Sequence, residues 1–292
     1  MINPSPIWEI EFKIYGAIKL DTDLNRRRTS AIKAVSKDSI KFTEITLREA
    51  PNERHKRSGY FSAILTLQAE TRRDSLRIGR VYAGQLCDLL SYITKVAVYY
   101  EITDDGEDRI SPRGTSSSLA SYRLLLAKEW DWILECNPWL RANEPRFVAA
   151  CSWYRRALCC DDITEQLCCY WRVIEGCADS YARAFSSVPD DLKSWKNLPI
   201  KQKINIFIEN FVDHPNGLLA DEDERSRVYR LRNIISHGEE PLSHKLIESC
   251  SNYVDACGEA AHTSLESVIS EVSKHNTVLF FDKAEFASES NQ

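Results

Sequence analysis

The sequence predicts an α+β chain, with an N-terminal mixed α/β domain of antiparallel strands followed by an all-α, up-and-down helical bundle. Three observations lead there. Before residue 103, apolar residues alternate with polar ones in several short runs, the period of a half-buried strand. From Pro145 onward they recur every three or four residues almost without interruption, the period of an amphipathic helix. Between the two regimes, "TDDGEDRISPRGTSSSLAS" (103–121) has the Gly, Pro, Ser and Asp content of a loop.

In order, "IWEIEFKIYGAIKL" places Trp8, Ile10, Phe12 and Ile14 on one strand face. "SIKFTEITL" and "YFSAILTLQAE" read as further strands between polar turns. "SLRIGRVYAGQLCDLLSYITKV" changes to a helical period with Leu86, Leu89, Leu90 and Ile93 on one side, and "AVYYEI" returns to the sheet. The tryptophan-rich "LLLAKEWDWILECNPWL" fits either a strand or a helix. Five helices are then expected, beginning with "PRFVAACSWYRRALCC". The second, "DDITEQLCCYWRVIEGCADSYARAF", starts at Asp162 with Glu165 in capping-box position and has Leu167, Tyr170, Trp171, Ile174, Ala178 and Tyr181 as its apolar stripe. "IKQKINIFIENFV", "DEDERSRVYRLRNIISH" and "LSHKLIESCSNYVDACGEAAHTSLESVISEVSK" complete the set, and short connections imply antiparallel neighbours. The expected divisions are a β-rich domain at 1–120 suited to sensing or RNA binding, a bridge at 121–144, the bundle at 145–280 and a tail at 281–292.

Composition narrows the class. With 292 residues, 43% of them apolar and 28% charged, the chain reads as globular rather than disordered. No apolar run approaches the roughly 18 residues of a membrane span. "MINPSPIWEIEF" lacks the basic and apolar regions of a signal peptide, so a cytoplasmic location is expected. The ten cysteines, two pairs among them (Cys159–Cys160 and Cys168–Cys169), follow neither a disulfide framework nor zinc-ribbon spacing, and read as reduced, mostly buried thiols. "GTSSS" lacks the Lys-Ser/Thr ending of a phosphate-binding P-loop. Charge is uneven: residues 1–100 hold 17 Lys and Arg against 11 Asp and Glu, a net of +6, and the rest hold 21 against 32, a net of −11. "NRRR" and "ERHKR" make Arg26, Arg27, Arg28, Arg54, Lys56 and Arg57 the candidate nucleic-acid contacts, although a solvated surface accounts for them equally well.

The chemistry concentrates in "LRNIISHGEEP" (231–241). Val228, Leu231 and Ile235 define a helix, and Gly238 and Pro241 end it. Arg232, Asn233 and His237 crowd its last turn and a half. Asn233 and His237, four apart, share a face, while Arg232 is rotated by about 100° from Asn233. An imidazole serves as general base or acid near neutral pH. A guanidinium holds a phosphate bidentately and stabilises developing charge. Asn233 would orient His237 or bind a phosphate oxygen. At a helix C-terminus the same three residues also suit free carbonyls and the helix dipole. The remaining histidines, His55, His214, His244, His262 and His275, read as surface residues.

Arg232-Asn233-Ile234-Ile235-Ser236-His237, followed by Gly238 and preceded on an earlier long helix by "YWRVIEGCAD" with Glu175 at its polar position, resembles the HEPN superfamily over about residues 145–275. The resemblance implies a metal-independent endoribonuclease leaving 2′,3′-cyclic phosphate and 5′-OH ends, as in bacterial antiphage and toxin-like proteins. It assigns Arg232, Asn233 and His237 to catalysis, with Glu175 and Ser236 in support, and needs no cofactor. It also implies a homodimer through the bundle, with two motifs facing one cleft and RNA as substrate. The N-terminal domain would then sense a protein trigger or attract RNA. HEPN toxins paired with a nucleotidyltransferase antitoxin carry Tyr two residues past the motif His, where this chain has Glu239. Many HEPN domains are non-catalytic binding or dimerisation modules, and the acidic "GEEP" fits that alternative.

Overall fold

The structure, a computed structural model, describes residues 6–21, 23–24, 28–30, 41–49, 60–102, 123–185 and 192–274. They form two compact units, divided between Asn143 and Glu144. The described residues are mostly helical, with a small antiparallel sheet near the N-terminus, an α+β composition.

In the first unit, strands β1 (Ile7–Tyr15), β3 (Arg28–Ser30), β4 (Lys41–Glu49), β5 (Tyr60–Gln68) and β6 (Tyr99–Ile102) make one sheet in the order β3-β4-β5-β1-β6, antiparallel throughout. The alternation seen in the sequence sets its inner face: Ile10, Phe12 and Ile14 are buried, with Phe12 opposite Ala63 in the register. Helix α1 (Arg72–Thr94) packs on this sheet, started by Thr71, whose hydroxyl accepts from the Asp74 N–H at 3.1 Å. Gly79 lets it come close, since a Cβ there would stand 2.9 Å from Ile10 Cδ1. β3, only three residues long, escaped the sequence reading. The expected first strand (7–20) breaks after Tyr15, and its end forms β2 (Ile18–Leu20), which pairs in parallel with β7 (Arg123–Leu125) at the start of the ambiguous segment. The ambiguous tryptophan segment is a helix, α2 (Ala127–Asn143), with Pro138 inside it. The expected bridge at 121–144 thus contains β7 and α2, which lie in the first unit.

The second unit contains α3 (Pro145–Leu158), α4 (Ile163–Phe185), α5 (Leu192–Asn197), α6 (Ile200–Phe211), α7 (Gly217–Ala220), α8 (Glu222–His237) and α9 (His244–Lys274). The five expected helices are α3, α4, α6, α8 and α9. The short α5 and α7, at six and four residues, have no legible period. Helix α4 packs against α3, α6, α8 and α9. Its stripe of Leu167, Tyr170, Trp171, Ile174, Ala178 and Tyr181 is buried as a whole. Asp162 starts it, its carboxylate accepting from the N–H groups of Thr164 at 2.8 Å and Glu165 at 3.1 Å. Glu165 itself turns to Arg156 of α3. Paired with Tyr154–Tyr170 and Glu144–Tyr181, that contact shows α3 running antiparallel to α4.

One surface assignment fails. His262 is 6% exposed, packed against the Tyr154 ring with Nδ1 3.1 Å from Glu266 Oε1, because α9 turns that face toward α3. All ten cysteines are free thiols, and eight of them are buried. No helix among the described residues is long and apolar enough to cross a membrane.

Candidate functional site

Helix α8 is held at both ends. The Asp221 carboxylate accepts from the Glu224 N–H at 3.0 Å, and Glu222, Asp223 and Glu224 occupy the first turn, where negative charge suits the dipole. At the far end Gly238 takes φ 62°, a left-handed conformation open to glycine at little cost, and the Glu239 N–H returns to the Ile234 carbonyl at 3.1 Å. The last turn, which carries Asn233, Ser236 and His237, is therefore defined rather than frayed. Its packing face is shifted from the expected one. Val228 and Ile234 are buried, while Leu231 and Ile235 are only half-buried.

Arg232 points back to α4. Its Nη2 donates to Glu175 Oε2 at 2.9 Å and its Nη1 to Asn233 Oδ1 at 3.0 Å, while Nε is buried without a partner. Glu175 accepts a second bond on Oε1 from Trp171 Nε1 at 3.0 Å. The pair is largely buried, with side chains 22% and 15% exposed. Burial raises the Glu175 carboxyl above its ordinary value, against the opposing pull of Arg232 and of the Trp171 N–H. Arg172, three residues before Glu175 and the other cation near it in sequence, lies over the Trp153 ring of α3, Cζ 4.4 Å from the centroid.

The last turn of α8 also meets α4 through Ser236, which lies against Cys168. Burial pushes the Cys168 thiol up, and Ser236 hydrogen-bonds to it and draws it back. His237 is exposed at the helix end, as is Ser236 beside it. Trp171 packs at a tilt on Tyr229, 6.3 Å between centroids, and Lys201 of α6 lies over the other aromatic, Nζ 4.9 Å from the Tyr229 centroid. The structure thus brings together Glu175, Arg232, Asn233 and Ser236 at the α4–α8 contact, with His237 one turn beyond Asn233. Arg26, Arg27, Arg54, Lys56 and Arg57 lie outside the described residues, and Arg28 opens the short strand β3.

Sequence reasoning placed Trp171 only in the apolar stripe of its helix and Arg172 only as a competitor for Glu175, and it missed Trp153. Trp171 had a signal, since it precedes Glu175 by four residues and so shares its helix face. Trp153 had none, because its link to Arg172 spans two helices. Chemically, the site offers an exposed imidazole one helical turn from an amide, and a guanidinium whose direction is set by a carboxylate on the neighbouring helix. Among the described residues no group of three or more His, Cys, Asp or Glu side chains is placed to hold a metal ion. Neither a protein-family model, nor a curated protein, nor a solved structure matches the chain.

Proposed function

We propose that this chain is a metal-independent endoribonuclease of the HEPN type, cutting RNA to 2′,3′-cyclic phosphate and 5′-OH ends in antiphage defence or toxin-like growth arrest. The observation that carries the reading is the exposed His237 on a capped helix end, one turn from an Asn233–Arg232 pair braced by Glu175. His237 takes the proton of a ribose 2′-OH as that oxygen attacks phosphorus. The bond from phosphorus to the 5′-oxygen breaks, and the departing oxygen needs a proton from a second acid. One chain supplies one motif, so a homodimer through the bundle provides the second histidine.

The test is cleavage of single-stranded RNA by the full-length chain in EDTA, with end-group analysis. His237→Ala should lower the rate by about 10²- to 10⁴-fold, the range of a positioned proton-transfer group. Cleavage that survives this substitution, or that needs a divalent ion, ends the reading.

The second reading is a non-catalytic binding and dimerisation module. It is favoured by Arg232, whose Nη atoms are both engaged within the chain, and by the acidic Glu239 and Glu240 beside His237. Equal growth of cells overexpressing wild type and His237→Ala, at matched protein levels, selects it.

A further inference from the structure

Arg232 is the residue the motif assigns to phosphate, yet both its Nη atoms donate within the chain and its Nε is buried. A guanidinium committed in this way offers little to an incoming anion. Three positions before Glu175 on the same helix, Arg172 is in the opposite state. It is exposed, and among the described residues no carboxylate comes within ion-pair distance of it. Its plane is nonetheless held, because Cζ lies 4.4 Å from the centroid of the half-buried Trp153. Arg156 also lies near that ring, at 5.2 Å, but its charge is taken by Glu165.

Arg172 also belongs to the α4–α8 neighbourhood. On α4 it lies between Cys168 and Glu175, four residues after one and three before the other, so all three share one side of the helix. Cys168 meets Ser236 and Glu175 meets Arg232. Arg172 and Arg232 both act electrostatically on the Cys168 thiol, each favouring its charged form.

We propose that Arg172, presented on the Trp153 ring, is the residue that binds a phosphate of a single-stranded RNA beside His237, and that Arg232 is a positioning residue fixed by Glu175. A held guanidinium loses little freedom on forming two parallel hydrogen bonds to a phosphate. Its outer face remains available for a base to stack on. This assignment rests on the RNA reading of the site, but its test does not depend on turnover.

The probe is a 5′-labelled 12-nucleotide RNA with 2′-fluoro sugars, which lacks the attacking hydroxyl, titrated by fluorescence anisotropy against the full-length chain. Arg172→Gln should weaken binding about tenfold and reduce the slope of log affinity against log salt by about 0.7, the loss of one single-strand phosphate contact. Arg172→Lys should recover the slope but only part of the affinity. Trp153→Leu should weaken binding while leaving the slope near that of the wild type. Circular dichroism confirms the fold of each variant. Unchanged affinity and slope in Arg172→Gln, alongside RNA cleavage by the wild type, overturns the assignment and leaves the ribonuclease reading in place. A wild type that neither binds the probe nor cleaves RNA overturns both.

Discussion

Arg232 of α8 and Glu175 of α4 face one another across 57 residues of sequence, Nη2 to Oε2 at 2.9 Å, and this contact ties the last turns of the candidate site to the most buried helix of the second unit. Replacing Glu175 with Ala leaves both Arg232 Nη2 and Trp171 Nε1 without their acceptor. Because unpaired buried donors cost about 1–3 kcal/mol each and Arg232 is partly solvated, a loss of about 2–3 kcal/mol is expected. Urea unfolding of wild type, Glu175→Ala, Arg232→Ala and the double variant measures it. A coupling energy near zero in that cycle means the contact contributes nothing beyond proximity.

Glu175 also gives the second unit a pH signature. With the carboxyl raised by burial, the folded chain holds that proton to higher pH than the unfolded chain does. The associated stability is complete below the unfolded value of about 4.3 and is lost as pH rises through the raised folded value. Measured against Glu175→Gln, which does not titrate, the wild type should lose relative stability upward from about pH 4.3 and then level off. Urea midpoints of the two proteins at half-unit steps test this, and a difference that stays flat or grows with pH contradicts it.

Gly238→Ala should destabilise the chain by about 1 kcal/mol, because φ 62° is a left-handed conformation that a Cβ penalises. No neighbour lies within 4 Å of the added methyl, so the cost is conformational. The consequence for function is larger than the stability loss suggests, since fraying moves His237. Amide exchange of residues 234–239 should speed up, and the RNA cleavage rate should fall while the melting temperature changes by only a few degrees.

Reversing Arg26, Arg27 and Arg28 to Glu removes charge from the first hundred residues, which carry a net +6. Weaker RNA binding and a flatter salt dependence are expected, with the single-turnover cleavage rate at saturating RNA unchanged. An unaltered salt slope means that these arginines form only a solvated surface.

Much of this architecture follows from periodicity. Ile10, Phe12 and Ile14 had to share a strand face, and the α4 stripe from Leu167 to Tyr181 had to be buried, because long runs of one period leave a single amphipathic solution. The ends of α8 were equally local: Asp221, the acidic first turn and Gly238 act within one turn of themselves. The pairing of β2 with β7, three residues each, carries no periodic signal and spans 102 intervening residues. His262 shows the same limit, because its burial depends on which face of α9 meets Tyr154.

At the site the division is sharper. The sequence by itself determined that Arg232, Asn233 and His237 would crowd the end of one helix, since helical spacing alone brings them there. It offered Glu175 two arginines, Arg172 three residues away and Arg232 on another helix, with nothing local to choose between them. Tertiary structure chose, by packing α4 against both neighbours at once. That packing carried Arg232 into the partly buried α4–α8 contact, where a carboxylate is needed to offset a desolvated guanidinium. It left Arg172 exposed on the same side of α4 as Cys168 and Glu175, over the Trp153 ring of α3, where an aromatic face suffices.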